Sequence, residues 1–269
     1  MARMKKFMQM TGSMAMISMY TRQGSDEVII RMKGGANRTQ IKTKPEFKLV
    51  RLNNKEWQGC TSMGSSIRRA FFTMKSVEDY PVNGALNALC KQMQHADKEH
   101  ELGKRSVCLS QHKELMAGFT FSKKQVFESV LRVPVTATLD RDSGIAQIDI
   151  PVINTELYLY NFRGLPYFRI MGILGGVADR FYSEVKKEYI ELQSGFYNNE
   201  KNTYQSEWMP AVGVIPAQSF RLYYPLTINP IPEDITLLLS IGIKFGKMGN
   251  DGKPAEVKYA GSGKVLLVG

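Results

Sequence analysis

This sequence is poor in the residues that most often announce a chemistry. Its 269 residues include three cysteines, three histidines and two tryptophans. Cys60, Cys90 and Cys108 are odd in number and widely spaced, and no Cys-x-x-Cys pair exists. That spacing excludes a zinc ribbon and a thioredoxin-like dithiol. It also argues against a disulfide framework, so reduced thiols in a cytoplasmic protein are expected. Long apolar runs are lacking too: none reaches the roughly 20 residues a spanning helix needs. The start places Arg3, Lys5 and Lys6 before a Met-rich stretch, but Gln9, Thr11, Gly12 and Ser13 break it before an export signal is formed. A cytoplasmic chain with no membrane partner is therefore expected.

Catalytic and cofactor motifs are equally scarce. Gly261-Ser-Gly-Lys264 has Lys258 and Val265 where a phosphate loop needs Gly and Ser/Thr, and it reads as a turn. Gly172, Gly175 and Gly176 have the wrong spacing for a dinucleotide fingerprint and are expected to mark close packing or a bulge in a strand. His95 and Glu99 share a helix face at i,i+4, but His100 turns away and His112 is remote, so no metal cluster is expected. Cys108 and His112 repeat that spacing without an acid to orient them, which favours a buried structural thiol. No nucleophile elbow is present, and Glu233-Asp234 follows Pro232 as turn residues do. Neither a cofactor nor an enzymatic activity is expected.

What the chain does have is positive charge, unevenly placed. The formal net charge is +11. Residues 1–56 carry 12 Lys/Arg against 4 Asp/Glu, residues 57–125 carry 10 against 6, and residues 126–269 carry 14 against 15. The whole excess lies in the first half. Clustered Lys and Arg attract phosphate backbones because binding releases condensed counterions; the bland counterpart is a basic face that keeps the protein soluble. The fifteen methionines concentrate at Met4, Met8, Met10, Met14, Met16 and Met19. They suit a loosely packed hydrophobic element, with an adaptable partner surface as the alternative.

Periodicity changes along the chain. Met14–Tyr20 and Glu27–Lys33 read as a β-hairpin around Gly24, followed by an extended basic arm over 36–45. Pro45 fits a first helical turn with Thr43 as cap. Helical spacing follows around Phe47–Trp57, Cys60–Lys75, Val82–Gln94 and Ser106–Met116. From Phe119 the period becomes two: Val130–Leu139 and Ile145–Ile150 flank the turn Asp140–Gly144, and further strands are expected at Tyr158–Tyr160, Tyr167–Val177, Ser219–Tyr224, Ile235–Phe245 and Lys258–Val268. Gly249–Pro254 is a hairpin turn. The predicted fold class is α+β, with a basic N-terminal hairpin and small helical region over 1–118 and an antiparallel β-sandwich-like domain over 119–269.

The segments Met10-Thr-Gly-Ser, Ser18-Met-Tyr, Ile29-Ile-Arg, Lys33-Gly-Gly, Leu52-Asn-Asn-Lys-Glu-Trp57, Leu139-Asp-Arg-Asp-Ser-Gly144 and Phe245-Gly-Lys-Met-Gly249 resemble, in their order, an uncharacterised protein family common in Bacteroidetes. The resemblance implies a bacterial origin and no activity, cofactor or site residue.

These readings together predict a non-enzymatic binding or assembly protein. Its candidate polyanion-binding residues are Arg22, Arg31, Lys33, Arg38, Lys42, Lys44, Lys48, Arg51, Arg68 and Arg69. Nucleic acid or an acidic protein is the expected partner, and sheet edges offer a route to homo-oligomers. Thr39 and Thr43 add phosphate contacts, and Tyr20, Phe47 and Trp57 add rings that stack on unpaired bases. No helix-turn-helix, zinc finger or RNP signature is present to make a dedicated nucleic-acid module. An enzyme whose site is assembled from distant residues is the remaining alternative.

Overall fold

The computed structural model describes residues 2–4, 11–21, 27–192, 201–225 and 230–269. In chain order the strands and helices are β1 (Ala2–Met4), β2 (Gly12–Met14), β3 (Ile17–Thr21), β4 (Val28–Met32), α1 (Arg38–Thr43), α2 (Lys48–Ala70), α3 (Val82–Ala96), α4 (Phe127–Val130), β5 (Thr136–Asp140), β6 (Ile145–Ile150), β7 (Ile153–Asn154), α5 (Thr155–Tyr158), β8 (Tyr167–Ala178), β9 (Phe181–Ser183), β10 (Glu188–Ile190), β11 (Lys201–Gln205), β12 (Met209–Pro210), β13 (Val214–Ile215), β14 (Gln218–Tyr223), β15 (Ile235–Met248) and β16 (Pro254–Val268). The fold is α+β, and its strands pair antiparallel. Contacts divide the chain into two units, Met1–Arg51 and Leu52–Gly269.

The first unit holds a four-stranded sheet in the order β1-β4-β3-β2. The expected hairpin is its centre, with Tyr20 opposite Ile29 and Ile17 opposite Met32. The expected turn at Arg22–Asp26, including Gly24, lies outside the described residues, as do Met8 and Met10. The basic arm is not extended throughout. Residues Arg38–Thr43 form a helix because Asn37 and Gln40 close a capping box: Gln40 N–H donates to Asn37 Oδ1 at 2.8 Å and Asn37 N–H to Gln40 Oε1 at 2.9 Å. Pro45–Phe47 is a 3-10 turn that leads into α2.

In the second unit a large sheet, β11-β8-β15-β16 with β12 beside β8, is covered on both faces. Odd positions of β8 (Met171, Ile173, Val177) join Met63, Ile67 and Met74 from the α2 region and Leu86, Cys90 and Met93 of α3 in one core. Even positions (Phe168, Ile170, Leu174) join Ile148 of β6 and Phe220 and Leu222 of β14 in a second core. β14-β6-β5 is the smaller sheet of the sandwich. Burial on two faces explains why β8 and β15 read as near-continuous apolar runs, while β6 and β14 alternate. Gly172 makes room for Phe220: a Cβ there would stand 2.5 Å from its ring. The outer edge of β16 is covered by the segment before α4. Gly118 N–H and Phe121 N–H donate to the carbonyls of Val265 and Gly263, and Val265 N–H donates to Phe119 O.

Four local expectations are corrected. The helical stripes at 47–57 and 60–75 belong to one helix, α2, followed by a 3-10 turn over Phe72–Ser76. Ser106–Met116 is not a helix. Val107 instead bridges Arg180, exchanging hydrogen bonds of 2.8 and 3.0 Å, and only Lys113–Leu115 turns helically. Strand pairing there satisfies the backbone better than a short isolated helix would. The strands expected at Val130–Leu139 and Tyr158–Tyr160 are shortened by α4 and α5, leaving a bridge between Leu131 and Leu159. Gly261–Lys264 is not a turn but the middle of β16, paired with Ile241–Lys244. Its glycines let the helical layer approach: a Cβ on Gly261 would stand 2.7 Å from Val77 Cγ1.

Among the described residues no helix is long and apolar enough to cross a membrane.

Candidate functional site

The 3-10 turn after α2 forms one wall of a cleft. In such a turn side chains three apart eclipse one another. Phe71, Met74 and Val77 therefore share the buried side, and Phe72 and Lys75 share the outer one. Phe71 anchors the turn by packing edge-on against Phe121, with ring centroids 5.2 Å apart. Phe72 is left 61% exposed. The Lys75 ammonium stands 6.0 Å from its ring centroid and the Lys201 ammonium, from β11, 5.3 Å. Lys201 is held there by donating to the carbonyl of Arg69 at 3.2 Å.

The facing wall is made by an irregularity in the β15–β16 hairpin. Lys244 pairs with Gly261 and Gly246 with Glu256, so only Phe245 of β15 spans the place where β16 carries residues 257–260. The extra length bulges out of the ladder, which is how a bulge re-aims side chains. Tyr259 takes a left-handed conformation, φ +59°, and is 58% exposed. Arg163 Nη1 donates to the Lys258 carbonyl, freed from the ladder, at 3.4 Å.

Phe72, Thr73, Lys75, Ser76, Lys244, Glu256, Lys258 and Tyr259 enclose about 420 Å³. That lies within the range of small-ligand sites. Three lysines and one carboxylate, Glu256, line it. Lys244 is buried at 5% exposure, and its Nζ donates to Glu256 Oε2 at 3.0 Å. A buried ammonium needs such a partner. Glu256 is thus taken up by Lys244, and Lys75 and Lys258 line the cleft beyond that pair.

Of the sequence-predicted residues, Arg68 and Arg69 end α2 beside this cleft. Arg68 and Lys75 both act on Glu78, whose carboxyl burial pushes up and these two cations pull down, with burial prevailing. The others belong to the first unit, where Arg31, Lys33, Arg38, Lys42, Lys44 and Lys48 are exposed. Several already serve the fold. The Arg31 guanidinium lies 5.5 Å over the Tyr20 ring, Lys33 Nζ donates to Ala15 O at 2.8 Å, and Lys44 pairs with Glu46 at 3.6 Å. Arg51 donates to the carbonyls of Ile41 and Lys44 at 2.7 and 2.8 Å, tying the end of α1 to the start of α2. Arg22 lies outside the described residues. Sequence reasoning missed Lys75, Lys201, Lys244, Lys258 and Tyr259. Only Lys244 left a signal, being a lysine within the apolar run Ile241–Phe245.

Other chemistry-bearing groups fall elsewhere in the second unit. Ser110, Lys113, Arg141, Asp179, Glu233 and Asp234 line a second hollow of about 430 Å³. Asp179 accepts from Ser110 N–H at 3.1 Å and Ser110 Oγ–H at 2.5 Å, while Arg141 is spent on the carbonyls of Pro232 and Gly269. Burial pushes the Asp179 carboxyl up, Ser110 opposes it, and nearby Asp234 reinforces it. His100 Nδ1 lies 2.8 Å from Asp97 Oδ2, and His112 Nδ1 lies 3.5 Å from Glu114. Among the described residues no three His, Cys, Asp or Glu side chains are placed to hold a metal ion. Cys108 is buried, and that burial, with Asp179 nearby, pushes its thiol up to about 12.

No protein-family model, no curated protein and no solved structure matches this chain. The resemblance to the Bacteroidetes family accordingly stays an expectation drawn from the sequence.

Proposed function

We propose that this chain is a non-enzymatic, cytoplasmic binding protein that contacts a polyanion through basic surface. The observation that carries the reading is the cleft lined by Lys75, Lys244 and Lys258, by a single carboxylate, Glu256, and by the exposed rings of Phe72 and Tyr259. Cations held at fixed positions beside rings are what a phosphate-bearing partner requires. The exposed lysines and arginines of the first unit, Arg31, Lys33, Arg38, Lys42, Lys44 and Lys48, extend the same reading to the basic N-terminal half. A salt titration tests it. Binding of the purified chain to single-stranded and duplex DNA, and to polyphosphate, should weaken steeply and linearly in log salt. Absence of binding to all three at low salt removes the proposal, and binding to an acidic protein instead would redirect it.

A further inference from the structure

We infer that the cleft between the Phe72–Ser76 turn and the β16 bulge is a nucleotide site, taking a base against Phe72 or Tyr259 and its phosphate among Lys75, Lys244 and Lys258. The inference rests on the polyanion reading and gives it a ligand class.

Three features of the cleft point beyond a generic anion. The first is backbone conformation. A tyrosine at φ +59° carries a steric cost that glycine would avoid. Strain of this kind persists where surrounding structure enforces it, and it clusters at ligand sites. Here the bulge enforces it at an exposed tyrosine that lines the cleft together with three lysines.

The second feature is Lys244. It is nine-tenths buried, yet it lines the cleft. Among the described residues Glu256 is its one acceptor. An ammonium has three donors, so N–H groups remain for phosphate oxygens that water would otherwise occupy.

The third feature is Phe72, a large apolar side chain that is mostly exposed although its neighbours Phe71 and Met74 are buried. Its ring is already flanked by Lys75 and Lys201. Rings beside cations suit the flat face and the charge of a nucleotide together. In a duplex those base faces are covered by their neighbours, so the ligand is an unpaired nucleotide, either within a single strand or free.

Fluorescence anisotropy with a labelled oligothymidylate, a duplex of equal length and polyphosphate as a base-free competitor tests this on the full chain. Phe72→Ala or Tyr259→Gly, whichever removes the ring that carries the base, should weaken single-strand binding about tenfold while leaving polyphosphate affinity unchanged. Lys75→Gln should lower the single-strand salt slope by about 0.7. Tyr259→Gly should melt at or above the parent temperature, because glycine accepts φ +59°, which separates lost binding from lost folding. Adenosine monophosphate that displaces the strand from the parent identifies a free nucleotide as ligand; failure to displace it, with the variants still defective, identifies the strand. Unchanged single-strand affinity in both ring variants overturns the nucleotide site and leaves the polyanion reading intact. No binding of any polyanion by the parent overturns that reading itself.

Discussion

The Lys91 ammonium lies 2.6 Å from Glu56 Oε2, inside the second unit. The other carboxylate oxygen accepts from Arg105 Nε at 2.7 Å and from Gly103 N–H at 3.0 Å. Gln94 joins the cluster by donating to the carbonyls of Glu56 and Arg105 and accepting from Cys60 Sγ. Burial alone would raise the Glu56 carboxyl, but Lys91, Gly103 and Arg105 together hold it below the usual carboxylate range. Removing one member of a fully buried pair costs about 3–5 kcal/mol. Because Lys91 and Arg105 keep some solvent, Glu56→Gln should cost about 3 kcal/mol, the low end of that range, measured by urea unfolding. The sign of the pH effect follows from the lowered value. This stabilisation is present above the unfolded carboxylate pKa and is lost as pH falls through the folded one, so the variant should show a flatter acid limb than the parent.

Asp179 behaves oppositely. Its carboxyl is raised by burial, so the folded state binds its proton more tightly than the unfolded state does. The corresponding stabilisation is complete below the unfolded pKa and is lost as pH rises through the folded one. Asp179→Asn should remove that decline, flattening stability against pH above the usual aspartate range. A curve that keeps its parent slope there would show that Asp179 does not carry it.

How much of this was legible in the sequence divides along physical lines. The hairpin at 17–32 and the strands β6 and β14 announce themselves by alternation and turn residues, and β8 and β15 by apolar runs, because these are local signals. The helix expected over Ser106–Met116 fails because Val107 finds a partner 73 positions away in Arg180, and local periodicity carries no information about such pairing. The cleft is harder still. Phe72 and Tyr259 come from opposite ends of the second unit. Tyr259 lines one cleft with Phe72 only because β16 carries extra residues opposite Phe245, a mismatch of strand lengths that neither strand displays alone. The basic residues of the first half were visible as charge, but the work of Arg51 as a backbone tie was not.

Gly261 offers a packing test. A Cβ there would fall 2.2 Å from the backbone oxygen of Ile243, which cannot step aside as a side chain would. Overpacking of this kind costs about 1–3 kcal/mol, so Gly261→Ala should destabilise by about 3 kcal/mol at that upper end. Calorimetry on the variant measures it, and an unchanged melting temperature would mean that the β15–β16 pairing shifts freely.

Thiol chemistry supplies a fourth test. Cys60, Cys90 and Cys108 are buried, and that burial, the largest cause at each, pushes their thiols up to about 11, 12 and 12. The thiolate is the reactive form. An aromatic disulfide reagent at neutral pH should therefore leave the native protein untouched and titrate all three cysteines once it is unfolded. Rapid reaction of any one in the native state would place it at the surface.

The cover over the edge of β16 has a consequence for biosynthesis. Residues 118–121 leave the ribosome well before residues 263–265, whose ladder atoms they occupy. At 5–20 residues per second the interval is roughly 7 to 30 s. The last strand thus emerges to find its outer neighbour already made. An order of translation that supplies the lid before the vessel leaves little time for that edge to recruit a strand from another nascent chain.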